Sequence, residues 1–263
     1  MAKIEEINEK NQPLIIASLK SDIIKHVFAY YDIQNDPQHT TTYAAFENGN
    51  LQGYILIYTA TDVPSVILEC ETLLAGRLLE HAPPGNFIVH APPNILPAIE
   101  KKFPDAKHYL EDWMLVKKNE ARFSKSELVR RLCTEEDAQK LADLLLSRKD
   151  RPPGMLKKYA DWISKMPIYG LFREDQLVSY AGSFIQLPQV WLIGGVYTQS
   201  EHRNRGYATL VTSAITEEAL KTAEATALFA RSDNYPAIRV YERIGYRKIG
   251  EKVWVDVGTG LKP

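Results

Sequence analysis

The sequence predicts a mixed α/β protein built from two successive copies of one unit, with largely antiparallel sheets covered by helices. Three observations carry that prediction. Strand-like and helix-like apolar spacings alternate along the 263 residues, with turn residues between them. One hairpin occurs twice: Tyr43, Phe46, Leu51 and Tyr54 recur as Tyr169, Phe172, Leu177 and Tyr180, each at a shift of 126 residues. Further on, Pro97-Ala98-Ile99 recurs as Pro236-Ala237-Ile238 at a shift of 139, so the second copy gains 13 residues between these landmarks.

In the first copy, residues 14–31 place Leu14, Ile15, Leu19, Ile23, Ile24, Val27, Phe28 and Tyr31 at helical spacing, and Asn35-Asp36-Pro37 ends the unit. Strands at 42–46 and 51–58 flank Glu47-Asn48-Gly49-Asn50, a hairpin signal. A third strand at 65–69 follows the turn Asp62-Val63-Pro64. Next come a helix at 73–81, a strand at 87–90, a helix at 95–103 and a strand at 108–117. The second copy repeats the order: helices at 135–147 and 156–166, a hairpin of strands 169–172 and 177–185, and an apolar strand at 190–197. A helix from Ala208 to about Thr222, a strand at 227–231 and a helix opening at Pro236 complete it. Two domains are therefore expected, 1–120 and 121–263, joined by a linker near 117–126.

Composition narrows the class. Apolar content of 45% and charged content of 25% suit a folded core. A net charge of −1 argues against a nucleic-acid partner. No apolar run reaches the length of a membrane span, and Met1-Ala2-Lys3-Ile4-Glu5-Glu6 lacks the features of a secretory signal, so no membrane partner and a cytoplasmic location are expected. Cys70 and Cys133 read as reduced thiols. His81-Ala82-Pro83-Pro84 and His90-Ala91-Pro92-Pro93 put two histidines nine residues apart with no cysteine at metal-ligand spacing, and no metal site is expected. A monomer or homodimer fits all of this.

The chemistry points to one segment. The strand at 190–197 leads into Arg203-Asn204-Arg205-Gly206-Tyr207-Ala208, after which a helix begins. A strand turning through a basic, small-residue loop into a helix N-terminus is an anion cradle. Backbone N–H groups point outward, the helix dipole adds roughly half a positive charge, and glycine allows close approach. The first copy has only Ala75-Gly76-Arg77-Leu78-Leu79-Glu80-His81 there, and Glu80 would repel an anion, so that copy is expected to hold no such ligand. Gly194-Gly195 interrupts the strand before the loop, marking either a bulge or a glycine pair packed under a bulky side chain such as Trp191.

The pattern R-x-x-G-x-A at 203–208, with the segment Asn234-Tyr235-Pro236-Ala237-Ile238-Arg239-Val240-Tyr241-Glu242-Arg243-Ile244-Gly245-Tyr246 about 30 residues on, resembles the two signatures of the GCN5-related N-acetyltransferases. The resemblance covers nearly all of 125–263. A degenerate N-terminal copy before an intact one is also similar to the layout of glycine N-acyltransferase-like and FR47-like proteins.

The resemblance implies a tandem fold of this type, with a splayed parallel strand pair in the C-terminal half. It implies acetyl-CoA as co-substrate and transfer of its acetyl group to a primary amine of a small molecule or amino acid. Alternatives are a non-catalytic acyl-CoA sensor or scaffold, and a protein N-terminal or lysine acetyltransferase. The implied pyrophosphate site is Arg203, Asn204, Arg205, Gly206, Tyr207, Ala208 and Thr209. The pantetheine arm would lie along Val196, Tyr197 and Thr198 and meet Asn234, which also suits a helix cap. Ala237 and Tyr241, four apart on one helix face, would form a slot for the cofactor tail, with Tyr241 protonating the departing thiolate. Many relatives carry a glutamate base on the bulged strand. Here that position falls near Leu192, residues 191–196 contain no titratable group, and Glu201 and His202 are expected as solvated neighbours of the phosphate site. Arg151-Pro152-Pro153-Gly154 is a candidate loop at the acceptor pocket, or a plain connector.

Overall fold

The computed structural model describes residues 2–148 and 156–260, so Arg151-Pro152-Pro153-Gly154 lies outside the described residues. Among those described, ten elements run in one order and then run again. The first series is β1 (Lys3–Glu6), α1 (Gln12–Lys20), α2 (Val27–Asn35), β2 (Thr40–Glu47), β3 (Asn50–Tyr58), β4 (Ser65–Cys70), α3 (Thr72–Leu79), β5 (Phe87–Ala91), α4 (Leu96–Lys102) and β6 (Lys107–Lys117). The second is β7 (Val129–Arg131), α5 (Glu135–Leu146), α6 (Leu156–Lys165), β8 (Ile168–Arg173), β9 (Gln176–Gln186), β10 (Val190–Thr198), α7 (Tyr207–Ala219), β11 (Ala225–Arg231), α8 (Tyr235–Ile244) and β12 (Arg247–Val257).

The compact units follow strand pairing rather than chain order. Residues 2–112 form one unit together with 251–260, and 113–250 form the other. The cuts fall inside β6 and β12, not in the expected 117–126 linker, because 251–260 belong with the N-terminal repeat. There β12 pairs antiparallel with β5 from Val253↔Ala91 to Val257↔Phe87.

In the N-terminal unit the order is β1-β2-β3-β4-β5-β12. Its pairs are antiparallel except β4–β5, which run parallel from Ser65↔Ile88 to Ile67↔His90. One core, with Leu68, Leu78, Phe87 and Ile99, lies under α3 and α4, and another, with Ile15, Leu19, Ile33 and Tyr54, lies under α1 and α2. Residues 14–31 are not one helix. Ser21 Oγ donates to Ser18 O (2.7 Å) and Asp22 Oδ1 accepts from Lys25 N (3.0 Å), so side chains compete for the backbone between α1 and α2.

In the C-terminal unit the order is β6-β11-β10-β9-β8-β7, with β10–β11 parallel. Helices α7 and α8 cover a core that includes Val211, Ile215, Leu228, Tyr241 and Ile244. Helices α5 and α6 cover a second core with Leu141, Tyr159, Ile163, Leu177 and Tyr180. Helix α5 starts at a capping box: Asp137 N donates to Thr134 Oγ1 (3.1 Å) and Thr134 N donates to Asp137 Oδ2 (3.1 Å). Asp137 also pairs with Arg130 (2.6 Å), and these hydrogen bonds outweigh burial and hold its carboxyl well below the usual range.

Candidate active site

The site begins where β10 and β11 part. They pair only at Val190↔Ala225, Trp191↔Thr226 and Leu192↔Ala227, yet β10 runs on to Thr198 and β11 to Arg231. Past Leu192, the β11-facing edge of β10 therefore has its backbone groups unpaired by any strand among the described residues. Such an edge can accept an extended amide-containing chain in place of a strand.

Sequence explains the parting. On its other edge β10 pairs with β9, but the register slips between Leu192 and Ile193 and again between Gly194 and Tyr197. At the second slip β10 carries an extra residue, and Gly195 adopts φ +67°. A Cβ on Gly194 would lie 2.6 Å from Phe184 Cε1, and one on Gly195 would lie 3.0 Å from Tyr180 Oη. Both alternatives for the glycine pair hold at once: it forms a bulge, and it lies under bulky rings. Those rings belong to Phe184 and Tyr180 rather than Trp191.

The end of β10 is firmly held. Ser179 Oγ donates to Tyr197 O (3.0 Å) and shares a hydrogen bond with Thr198 Oγ1 (2.8 Å). Arg203 Nε donates to Thr198 O (3.1 Å), tying the following loop back to the strand. The Tyr197 ring has the Arg203 guanidinium 5.8 Å and the Arg148 guanidinium 5.0 Å from its centroid. Val196 is half-buried and packs on the core under α7.

The loop itself is exposed at Arg203, Asn204, Arg205 and Gly206. Asn204 (φ +61°) and Gly206 (φ +78°) are both left-handed, which turns neighbouring amides to one side. Gly206 caps α7, and no side chain bonds the first turn. The amides of Tyr207, Ala208 and Thr209 are thus left for an outside acceptor. No atom lies within 4 Å of where a Gly206 Cβ would stand, so the cradle is open at its centre. Glu201 is exposed, and His202 is partly exposed, with its Nδ1 buried without a partner and its ring stacked on Tyr207 at 6.4 Å.

Helix α8 supplies the far side. Asn234 Oδ1 accepts from Ala237 N (3.3 Å), so it caps this helix, and Pro236 sits in the first turn. Ala237 is half-buried and packs on the same core as Tyr241. Tyr241 is buried, packs edge-on against Tyr246 at 6.1 Å, and its phenol is raised well above 10, by burial first and by Tyr246 second. The Tyr246 hydroxyl, by contrast, is bonded to Thr216 (2.9 Å) and Thr226 (2.8 Å). Its phenol is pushed up to about 12. Sequence reasoning passed over Phe184, Tyr180 and Arg148; a phenylalanine two residues past Gly182 on a half-buried strand reads only as core.

An open helix N-terminus at the end of a strand with a free edge suits a phosphate-bearing, amide-containing chain such as acetyl-CoA. A Cβ-free cradle and unpaired backbone are what that group needs. No cluster of three or more His, Cys, Asp or Glu residues placed to hold a metal occurs among the described residues. No helix among them is long and apolar enough to cross a membrane.

Comparison with known proteins gives the same fold. Residues 168–255 match the family model for FR47-like protein. A Drosophila protein of known structure is 15% identical with a TM-score of 0.71, covering 98% of this chain and 99% of its own. A GCN5-related N-acetyltransferase from Sphaerobacter thermophilus is 13% identical with a TM-score of 0.66, covering 100% of this chain and 98% of its own. A tandem GNAT protein from the clavulanic acid biosynthesis pathway is 14% identical with a TM-score of 0.61, covering 98% and 100%. No curated protein matches the sequence. The chain thus has the tandem fold of the GCN5-related N-acetyltransferases, with an FR47-like segment in its second repeat.

Proposed function

We propose, from an FR47-like segment on the fold of the GCN5-related N-acetyltransferases, that this protein is an acyl-CoA-dependent N-acyltransferase. It moves an acetyl group from acetyl-CoA to a primary amine of a small molecule or amino acid. The observation that carries the reading is the continuity of two features: the free edge of β10 past Leu192 leads through the loop to the N-terminus of α7, where the cap residue Gly206 offers no side-chain hydrogen bond.

Acetyl-CoA, when bound, supplies an acyl group activated as a thioester. The amides of Tyr207, Ala208 and Thr209 would hold its pyrophosphate, with Asn204 and Gly206 shaping the cradle and Arg203 and Arg205 adding charge. The unpaired edge at Val196, Tyr197 and Thr198 would hold the pantetheine arm as an added strand, with Asn234 and Ala237 beside it. Tyr241 would protonate the leaving sulfur; burial raises its phenol, so the transfer requires a thiolate desolvated in the same site. No carboxylate lies on β10, so the amine proton would leave through a water chain or to a base on another segment. The two free thiols fit a cytoplasmic protein.

The test is thiol release from acetyl-CoA with a panel of amines and amino acids, beside calorimetry with CoA. Binding with turnover supports the enzyme. The lack of a carboxylate on β10 favours one second reading, an acyl-CoA sensor, for which CoA would bind and no amine would be acylated. Absence of CoA binding would remove both.

A further inference from the structure

Phe184 is the residue that β9 carries in excess where Ile185 pairs with Leu192 and Ser183 with Ile193. Its ring fills the side-chain space of Gly194, as the Tyr180 ring fills that of Gly195. Gly194 is paired with Gly182, whose Cβ position lies 3.2 Å from Ile168 Cγ1, in the core under α5 and α6. Directly paired residues share a face, so Phe184 stands on the α5–α6 side of the sheet.

Among the described residues, that side is the more open one at the bulge. On the other, α7 and α8 bury Ile193, Leu228, Ala230 and Tyr241. On the α5–α6 side Tyr180 is buried, but Phe184 remains 42% exposed and Gly195 is exposed. A molecule arriving at the bulge from solvent therefore meets a phenyl ring. The ring reaches Gly194 from β9 and across the face, not from the β11-facing opening, which favours contact with the incoming amine over contact with the acyl chain. The cation on the flanking strand is already compensated, since Arg231 Nε and Nη2 donate to Asp233 at 2.9 and 2.5 Å. An acceptor carboxylate would gain little there.

We infer that Phe184 is a specificity-determining contact and that the acceptor is a primary amine borne on an aromatic or branched apolar body. This rests on the transferase reading above and narrows it. The ring would pack on the acceptor's apolar body while the amine lies over Gly194 and Gly195.

The experiment compares 2-phenylethylamine with ethanolamine in the parent, in Phe184→Ala and in Phe184→Leu, which keeps apolar bulk over Gly194. CoA affinity is measured alongside, as is binding of each amine to the CoA complex. The parent should favour 2-phenylethylamine. Phe184→Ala should lower its kcat/KM roughly two- to tenfold through KM, with Phe184→Leu between, while ethanolamine turnover and CoA affinity hold. Preference for ethanolamine in the parent, or an equal fall for both amines, overturns the inference. So does a changed preference between acetyl-CoA and hexanoyl-CoA with amine preference intact, which would assign the ring to the acyl chain. If CoA binds and no amine is acylated, the transferase reading falls by itself. The amine-binding data then decide the inference: weaker 2-phenylethylamine binding in Phe184→Ala supports it, and no binding in the parent overturns it.

Discussion

Lys252 Nζ donates to Glu69 Oε2 over a separation of 183 residues, just past the point where β5 stops. Strand β4 pairs with β5 as far as Ile67↔His90, and β12 pairs with it from Val253↔Ala91, so both side chains project beyond its end, before Pro92-Pro93. The pair is largely shielded, with side-chain exposures of 9% for Glu69 and 12% for Lys252, and Lys25 Nζ approaches the other carboxylate oxygen at 3.4 Å. It closes the N-terminal counterpart of the opening that β10 and β11 leave in the second repeat. Lys252→Met leaves the shielded carboxylate with Lys25 at 3.4 Å as its remaining cation and should cost about 1–3 kcal/mol in urea unfolding of the N-terminal unit. Adding Glu69→Leu should restore most of it. A single variant as stable as the parent would show that water reaches Glu69.

Gly206→Glu should abolish CoA binding in calorimetry. A Cβ there meets no atom of the described residues within 4 Å, so the fold should survive, with a loss of about 1 kcal/mol for the left-handed backbone. The added carboxylate would occupy the centre of the cradle and repel phosphate. Unchanged CoA affinity in a folded variant would mean the pyrophosphate lies elsewhere.

Tyr241→Phe keeps the ring in its core and removes only the hydroxyl. The expected loss in kcat is roughly 10²–10⁴, with KM for acetyl-CoA nearly unchanged because the phosphate cradle supplies most of the anchoring. Normal turnover would reduce Tyr241 to a packing residue.

Acid should weaken the packing around His90, whereas Asp32, whose carboxyl burial raises to about 7, works in the opposite sense within the same unit. His90 is buried against Trp254 at 4.8 Å, and burial, with Lys252 adding to it, pushes its pKa from 6.5 down to about 4. Glu111 comes within 3.7 Å, but a neutral imidazole makes no ion pair with it at pH 7, and burial decides the protonation state. The folded pKa lies below the unfolded one, so the stabilising effect is complete above pH 6.5 and is lost as pH falls toward 4. The loss is at most about 3 kcal/mol. In a His90→Gln variant, hydrogen exchange in the N-terminal unit should lose this pH dependence; an unchanged profile would assign it to other groups.

Hairpins and the phosphate loop were legible because their signals are local. Glu47-Asn48-Gly49-Asn50 demands a turn, with Asn48 (φ 52°) and Gly49 (φ 78°) both left-handed, and Gly206 before a helix demands a cradle. Strands β1, β7 and β12 were not foreseen. The first two have four and three residues, too few to show a period of two, and β12 opens with the exposed, polar Arg247-Lys248. The break between α1 and α2 escaped notice because Ile23 and Ile24 keep the helical spacing across it. The division at Asp112 could not be read at all, since nothing in β12 states which repeat its last residues complete.

The divided β12 sets a timetable for synthesis. A nascent chain ordinarily folds its N-terminal domain while the ribosome is still making the next, at about 5–20 residues per second. Here the unit that holds residues 2–112 needs residues 251–260 to finish its sheet, and those are made only after all of 113–250. For some seven to thirty seconds at that pace, the nascent protein carries β5 with one edge unpaired. Chaperone occupancy on stalled ribosomes should therefore persist until β12 has cleared the exit tunnel, rather than ending once the first repeat is out.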